Sequence, residues 1–191
     1  MSKSNKSFKE IYAKYFDRIV LYLSRTVDSE KAEDYAQDIF LKVHASLDKF
    51  NNKSSIYTWI YRIATNYLID KSRKKKIIVN SCNISDKVLF CKPDVEYLTE
   101  EFRIVQEEMN ECICSYLKKL PPRYRAIIVL REYESMSIEE IMNIMNISKE
   151  NAKKTLLRAR KKLKNLLIEQ CQFYYNEENQ LSCEQKVSPK K

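Results

Sequence analysis

Lysine and arginine are the residues best placed to do chemistry in this chain, and they are densest on one predicted helix near the carboxy terminus. Apolar residues recur in this segment at steps of four, three and four, namely at Ala152, Leu156, Ala159 and Leu163. This spacing predicts a helix that buries one face. The cations between Lys149 and Lys162 then point away from the buried face. An exposed basic helix of this kind fits the major groove of duplex DNA, where its side chains reach base edges and phosphates.

The residues before this helix predict a helix-turn-helix. Ser137 and Glu140 have the spacing of a capping box, which opens a first helix. Asn146 stands where that helix must end, and asparagine is the usual non-glycine residue for a left-handed backbone. Ser148 is the predicted cap of the basic helix. Leu157 lies off the buried face, so we expect it to contact a thymine methyl group. A helical hairpin with a solvated charged face is the alternative.

A second basic stretch, between Lys53 and Lys76, combines seven cations with one acid, Asp70, and four aromatic residues. Aromatic rings stack on unpaired bases while cations follow the backbone, so this composition favours binding of single-stranded nucleic acid. We place Trp59 in the core, because it shares a helical face with isoleucines. The run that ends at Lys76 is interpreted as a phosphate-attracting helix end. The better candidates for base contact lie nearer the loop or the exposed flanks of the helix: Phe50, Tyr57, Tyr61 and Asn66.

The hydrophobic periodicity predicts an all-α protein of two small helical domains joined by a flexible linker. Residues 1–76 carry three amphipathic helices and form the first domain. Residues 77–98 lose this periodicity and contain Pro93, which indicates the linker. Residues 99–168 form the second domain, which ends in the helix-turn-helix. Residues 169–191 are a polar tail, which we expect to fray.

The composition excludes several classes of function. The chain of 191 residues contains no glycine. Walker A loops, dinucleotide-binding loops, nucleophile elbows and calcium loops all need glycine where the backbone turns sharply or approaches phosphate. A net charge of +9 points to an acidic polymer as a partner. The apolar runs are too short for a membrane span and residues 1–8 are too polar for a signal peptide, so we expect a cytoplasmic protein without membrane insertion.

No metal site and no cofactor are predicted. The six cysteines form no CxxC pair, and the single histidine, His44, is distant from them in sequence, so metal-ligand spacing is absent. Cys112 lies on the apolar side of a predicted helix and is assigned to the core. Cys171 and Cys183 fall in the polar tail, where two thiols make an incomplete site for a metal or a thiol sensor.

Four segments of this chain, taken in order, resemble the extracytoplasmic-function (ECF) sigma factors of bacterial RNA polymerase. They are EDYAQDIFLKVHASLDKF at 33–50, YTWIYRIATNYLIDKSRKK at 57–75, LPPRYRAIIVLREYESMSIEEI at 120–141 and NISKENAKKTLLRARKKL at 146–163. The resemblance implies that the first domain grips the clamp of core RNA polymerase and captures the melted minus-ten element of promoter DNA. It implies that the second domain reads the duplex minus-thirty-five element and lies at the flap of the polymerase.

The resemblance also implies roles for individual residues of the first domain. The helix over 34–48 would dock on the coiled coil of the clamp through its outward face, which carries Gln37, Asp38, Leu41 and Lys42. Phe50 and the loop 51–55 would form a pocket for a flipped base, and Arg62 and Asn66 would support strand separation. The full set expected at the single strand is Phe50, Asn51, Asn52, Lys53, Tyr57, Tyr61, Arg62, Asn66 and Arg73.

In the second domain, the resemblance places the minus-thirty-five duplex on the basic helix. The residues expected there are Lys149, Asn151, Lys153, Lys154, Leu157, Arg158 and Arg160. The chain departs from the common pattern of the family at three positions. Asn146 stands in place of a frequent glycine, Thr155 in place of a common arginine, and Glu150 adds an acid near the groove. The promoter sequence therefore does not transfer from relatives, and no residue identifies an anti-sigma factor, a partner that is common in this family.

Two other classes of protein are alternatives to a sigma factor. A free-standing helix-turn-helix regulator would bind duplex DNA without docking on polymerase, but it leaves the aromatic surface and the helix over 34–48 unexplained. A nucleic-acid hydrolase would need a metal site. Asp34 and Asp38 share a helix face, but no second acidic cluster completes such a site, so capping and salt bridging explain these residues better. We therefore expect no enzymatic activity.

Overall fold

The computed structural model describes residues 7–78, 110, 112–175 and 181–186. The amino-terminal part consists of α1 (Phe8–Ser24), α2 (Ser29–Ser46), a 3-10 turn (Leu47–Lys49) and α3 (Ile56–Ile78). α1 begins after Ser7, whose hydroxyl accepts a hydrogen bond from the backbone N–H of Lys9 at 3.3 Å. The three amphipathic helices predicted from the sequence are thus confirmed.

The carboxy-terminal part is also helical. Residues 112–119 form a helix that we call α4, and it is followed by α5 (Pro122–Ile128), α6 (Ile138–Met145) and α7 (Lys149–Gln170). α5 begins at Pro122, where the missing N–H and the fixed φ of proline suit the first helical position. It continues into a π-helical turn at Val129–Tyr133. The predicted linker lies outside the described residues, except that residues 77 and 78 belong to α3.

The helix-turn-helix forms as its local signals predict. The backbone N–H of Glu140 donates to Ser137 Oγ at 3.2 Å, and Glu140 Oε2 accepts from the backbone N–H of Ser137 at 2.9 Å, which completes the capping box. Asn146 ends α6 in the left-handed region, with φ 51° and ψ 57°. Ser148 then caps α7 by accepting from the N–H of Asn151 at 3.3 Å. The turn between α6 and α7 is therefore limited to residues 146–148.

The helices share one continuous hydrophobic core. Fully buried side chains meet between α1, α2 and α3, among them Ile19, Tyr22, Phe40 and Ile60. α3 also packs against α5 and α6, so the core continues into the carboxy-terminal helices. Trp59 is 8% exposed, which confirms its assignment to the core. The hydroxyls of Tyr22 and Thr65 share a hydrogen bond of 3.0 Å, so these buried polar groups are satisfied.

The tail after α7 differs from its prediction. Strands β1 (Cys171–Tyr175) and β2 (Leu181–Gln185) form an antiparallel pair, so the expectation that this segment frays is wrong. An isolated two-stranded hairpin is marginally stable, and this one is anchored at its base. Cys171 is buried, with its thiol 3.7 Å from the Tyr116 hydroxyl, and the Lys186 ammonium donates to the carbonyl of Ile168 at 2.7 Å.

The cysteines are also placed differently from their predictions. Cys112, which we assigned to the core, is partly exposed, whereas its neighbour Cys114 is buried. Cys171 is buried rather than lying in a solvated tail, because the hairpin folds back on α4. Within the described ranges, no group of three or more histidine, cysteine or acidic side chains could hold a metal ion. None of the helices described combines the length and apolar character that crossing a membrane requires.

Candidate nucleic-acid interface

The outward face of α7 carries most of the residues predicted to read duplex DNA. Ala152, Leu156 and Ala159 are buried on the inner face, as their spacing predicts. The side chains on the other face are exposed: Asn151, Lys153, Lys154, Leu157 and Arg158. Leu157 is 70% exposed, although it lies in the middle of a packed helix. The surface therefore offers an apolar contact flanked by cations, a chemistry that can meet a thymine methyl group and neighbouring phosphates in a major groove.

The first turn of α7 is fixed to α6 by an ion pair. Lys149 Nζ lies 2.7 Å from a carboxylate oxygen of Glu139. This hydrogen bond raises the pKa of Lys149 and lowers the pKa of Glu139, because each charge stabilises the other. Both side chains remain at least half exposed, so a DNA phosphate can compete with Glu139 for the ammonium group. The exposed Glu150 follows directly and adds negative charge at this end of the helix.

Arg160, which we also predicted to contact the duplex, forms an ion pair with Glu132 in the structure. Its Nε donates to a carboxylate oxygen of Glu132, in the π-helical turn, at 2.9 Å. The two side chains stay 53% and 43% exposed. Arg160 therefore links α7 to the preceding turn, and a phosphate that binds the Nε edge of its guanidinium must displace the carboxylate of Glu132.

A cavity of about 220 Å³ opens where the loop after α2 meets the start of α3. It brings together four of the residues predicted at the single strand: Phe50, Asn51, Lys53 and Arg62. The ring of Phe50 packs on Trp59, with centroids 5.1 Å apart. Asn52 adopts a left-handed backbone with φ 58°, which turns the loop beside the cavity. Aromatic, amide and cationic groups in one cavity suit a base that has left its stack.

Three of the predicted single-strand residues lie on the exposed side of α3, and Arg62 of the cavity is one of them. Arg62 and Asn66 are exposed one helical turn apart. Arg73 is exposed farther along the helix, where its Nη1 lies 4.0 Å from Asp70 in a solvated pair. Such an exposed pair contributes little to stability, so Arg73 is available to a phosphate. These side chains extend the basic surface away from the cavity.

Two tyrosines of α3 that we expected to be exposed are buried or half-buried in the structure. Tyr61 is fully buried and Tyr57 is half-buried. Both hydroxyls donate to the carboxylate of Glu134, at 2.6 Å from Tyr61 and 3.3 Å from Tyr57. Burial raises the pKa of both phenols, and the charge of Glu134 adds to the shift. The expectation that Tyr61 is exposed is wrong, because α3 turns this face toward the carboxy-terminal helices.

The outward face of α2 carries the residues predicted to dock on the polymerase clamp. Gln37, Asp38, Leu41 and Lys42 are all exposed, and Leu41 is 70% exposed. Asp38 is oriented by α3, since it accepts a hydrogen bond from the Tyr67 hydroxyl and lies 3.9 Å from Lys71 Nζ. Lys71 in turn lies over the ring of Tyr67, 5.3 Å from its centroid. The face therefore combines an exposed apolar side chain with an acid held in a fixed position.

Sequence reasoning missed two residues at these surfaces. Glu134 joins α3 to the carboxy-terminal helices, and Asn143 of α6 lines the same cavity as Phe50. The partners of Glu134 are 73 or more residues away in sequence, so no local spacing could reveal the contact. Glu134 lies between the π-helical turn and Ser137, which caps α6. When only its sequence neighbours are considered, an acidic residue at this position looks like an ordinary turn residue.

Comparisons with known proteins agree with this arrangement. Residues 11–77 match the family model of Sigma-70 region 2, and residues 110–163 match the model of Sigma-70 region 4. The ECF RNA polymerase sigma factor SigW of Bacillus subtilis is 31% identical over 166 residues, which cover 84% of this chain and 89% of SigW. SigM of the same organism is also 31% identical, over 82% of this chain and 93% of SigM. The ECF sigma-E factor of Escherichia coli is 29% identical over 84% of this chain and 86% of that protein.

Solved structures share the fold. The sigma factor RpoE of Bartonella quintana, in complex with the anti-sigma factor NepR, superposes with a TM-score of 0.60 and 22% identity, over 84% of this chain and 96% of that one. CnrH, in complex with the cytosolic domain of CnrY, gives a TM-score of 0.58 and 22% identity, over 85% of this chain and 88% of that one. With relatives of this identity over most of its length, the chain belongs to the ECF sigma factors of RNA polymerase.

Proposed function

We propose that this chain is an alternative sigma factor that binds core RNA polymerase and directs promoter-specific initiation of transcription. The observation that carries the proposal is the presence, in one chain, of two surfaces with different chemistry. The exposed face of α7 is basic around an apolar centre, whereas the cavity after α2 combines aromatic, amide and cationic groups. A protein that reads duplex DNA alone needs only the first surface.

The two surfaces bind different elements of a promoter. In residues 99–168, α7 reads the duplex minus-thirty-five element, with Leu157 and Arg158 at base edges. In residues 1–76, the cavity beside Phe50 takes a flipped base of the minus-ten element, and cations along α3 follow the strand.

The outward face of α2 docks on the clamp. Leu41 is 70% exposed and lies among Gln37, Asp38 and Lys42, the residues that the resemblance to the family places at the clamp. The partners are core polymerase at its clamp and flap, promoter DNA and an anti-sigma factor, the class of partner that is bound in the solved RpoE–NepR complex of similar fold. The chain acts in the cytoplasm, and it acts by binding rather than by catalysis.

Co-purification with core RNA polymerase tests the proposal. We expect the wild-type chain to bind core enzyme and Leu41→Glu to bind at least about tenfold more weakly, a loss of about 1.4 kcal/mol. Ala13→Glu is the matched control, because it adds the same charge at an exposed helical position on α1. A chain that binds duplex DNA but does not associate with core enzyme is instead a free-standing regulator.

A further inference from the structure

The carboxylate of Asp38 is held by side chains of α3, although Asp38 lies on the outward face of α2. The Tyr67 hydroxyl donates a hydrogen bond to Asp38 Oδ2, and Lys71 Nζ lies 3.9 Å from the same oxygen. The Asp38 side chain is 50% exposed, whereas Tyr67 is 8% exposed. A carboxylate at the surface therefore depends on a buried phenol for its orientation.

Two tyrosine rings fix the ammonium group of Lys71 beside this carboxylate. It lies 5.2 Å from the ring centroid of Tyr35 and 5.3 Å from that of Tyr67. The two rings meet edge to face, with their centroids 5.3 Å apart. A cation over the face of an aromatic ring is attracted by the charge distribution of the ring. These four residues, which we call the Asp38 cluster, are therefore joined by contacts between α2 and α3.

Tyr67 is a hydrogen-bond donor at neutral pH. Burial raises the pKa of its phenol, and the hydrogen bond to Asp38 and the charges of Asp38 and Asp34 add to the shift. The phenol therefore keeps its proton, and it donates that proton to an ionised acceptor. Hydrogen bonds to an ionised group are about twice as strong as those between neutral groups. The hydroxyl of Tyr67 is thus well suited to fix the position of the carboxylate.

The packing of α2 on its neighbours uses a different face of the helix. The buried residues of α2 are Ala32, Ala36, Ile39, Phe40 and Val43. Asp38 lies on the outward face, next to Gln37 and one turn from Leu41. A free side chain at such a position samples several rotamers, and a partner that binds one of them has to order it. The bond from Tyr67 orders Asp38 before any partner arrives.

We propose that Tyr67 is a positioning residue of the α2 face that docks on core RNA polymerase: its hydroxyl holds the Asp38 carboxylate in the orientation that the polymerase contacts. The inference rests on the proposed function, because that function assigns the outward face of α2 to docking. Tyr67 acts through Asp38, since its own side chain is buried. Lys71 stays beside the carboxylate on the two rings and offsets part of its charge.

Tyr67→Phe in the full chain tests this role, because it removes the hydroxyl and keeps the ring that contacts Lys71 and Tyr35. Tyr22→Phe is the matched control. It also removes a hydroxyl from a buried tyrosine of the amino-terminal helices, one that shares a hydrogen bond of 3.0 Å with Thr65, but this tyrosine belongs to the core. Titration of the fluorescently labelled chain with core RNA polymerase measures affinity, and circular dichroism on heating measures stability.

We expect Tyr67→Phe to weaken core binding about fivefold, because Asp38 then has to be ordered on docking. We expect Tyr22→Phe to unfold at a lower temperature and to bind core enzyme like wild type. In an Asp38→Ala background, Tyr67→Phe should cause no further loss, because the hydroxyl no longer has a carboxylate to orient. A folded Tyr67→Phe chain with wild-type affinity overturns the proposal, and so does the same loss in the Asp38→Ala background.

If Tyr67→Phe does not fold, Asp38→Glu decides. This substitution at a half-exposed position keeps the charge but adds a methylene group, which displaces the carboxylate from its place beside Tyr67. A loss of affinity of about fivefold supports the positioning role, and wild-type affinity overturns it.

The same titration separates the positioning role from the proposed function. A wild-type chain that does not bind core enzyme contradicts the proposed function and the positioning role with it. Tight binding by both wild type and a folded Tyr67→Phe chain contradicts the positioning role alone.

Discussion

Arg160 and Glu132 form an ion pair in which Nε and Nη2 of the guanidinium both donate to the same carboxylate oxygen. The arginine lies on α7, whose exposed face is the proposed duplex reader, and the glutamate lies in the π-helical turn before α6. In the proposed complex with duplex DNA, the carboxylate of Glu132 and a DNA phosphate compete for this arginine. A substitution of Glu132 alone should therefore change the affinity of the α7 face for duplex DNA.

Glu132→Gln should therefore strengthen duplex binding. The variant releases Arg160 to a phosphate, and each added phosphate contact steepens the plot of log affinity against log salt by about 0.9. Since the pair is exposed, the free energy of unfolding should fall by no more than about 1 kcal/mol. Titrations of a duplex at several salt concentrations measure the slope. Arg160→Ala in the same background should abolish the gain, and a gain that survives it would contradict the competition.

Substitutions on the exposed face of α7 should distinguish sequence-specific recognition of DNA from its non-specific electrostatic binding. Arg158→Ala should weaken binding to a duplex selected from a random library by about tenfold or more, because a base-edge contact contributes about 1 to 3 kcal/mol. Leu157→Ala should lose discrimination at one A·T pair and keep its affinity for other sequences. Lys164→Ala, which removes a charge from an exposed position two turns later, is the control. If Arg158→Ala and Lys164→Ala lose the same affinity for the selected duplex and for a scrambled duplex, the exposed face of α7 does not recognise the DNA sequence.

The left-handed backbone at Asn146 predicts opposite effects for two small substitutions. Asn146→Ala should lower the free energy of unfolding by about 1 kcal/mol, because the β-carbon strain of this left-handed conformation is offset by the short polar side chain of asparagine and not by the methyl group of alanine. Asn146→Gly should be neutral or slightly stabilising, because glycine adopts positive φ without that cost. Urea denaturation followed by circular dichroism measures both. Equal destabilisation by the two variants would show that the asparagine side chain, and not its backbone, is what the turn requires.

Alkaline pH should unfold the chain through its buried tyrosines. Burial raises the pKa of Tyr22 and Tyr61 above their ordinary value of 10.0, so the stability that depends on their protons is present below pH 10 and is lost as pH rises beyond it. Each group removes about 1.4 kcal/mol per pH unit in that range. Arg125 acts in the opposite sense, because its pKa is lowered to about 10, but it is one group against two.

Absorbance at 295 nm and circular dichroism, recorded together against pH, check this prediction. The last phenolates should appear only as the helices are lost. Ionisation of every tyrosine near pH 10 with the helices intact would contradict the burial of Tyr22 and Tyr61.

The features that the sequence predicts well depend on neighbours three or four residues away. The capping box of Ser137 and Glu140 needs only its own spacing, and so does the buried stripe under α7. Asn146 is predictable because a chain without glycine has few other residues for a left-handed turn. Exposure of Leu41 and Leu157 follows from the same periodicity, since both lie off an apolar stripe.

The features that the sequence does not predict depend on distant partners. Tyr61 reads as a flank residue by helical periodicity, and it is buried because Glu134 and α6 lie against α3. Cys171 reads as part of a polar tail, and it is buried because the hairpin returns to Tyr116 on α4, 55 residues earlier. The burial of Tyr61 and of Cys171 depends on packing between different elements, whereas hydrophobic periodicity describes each element by itself.

Transcription by core RNA polymerase on a library of genomic fragments, with and without the purified chain, shows whether the chain directs initiation at specific promoters. We expect new transcripts that appear only with the chain, begin at a common distance from one shared upstream duplex motif, and disappear with Arg158→Ala. The same set of transcript starts with and without the chain would contradict this expectation.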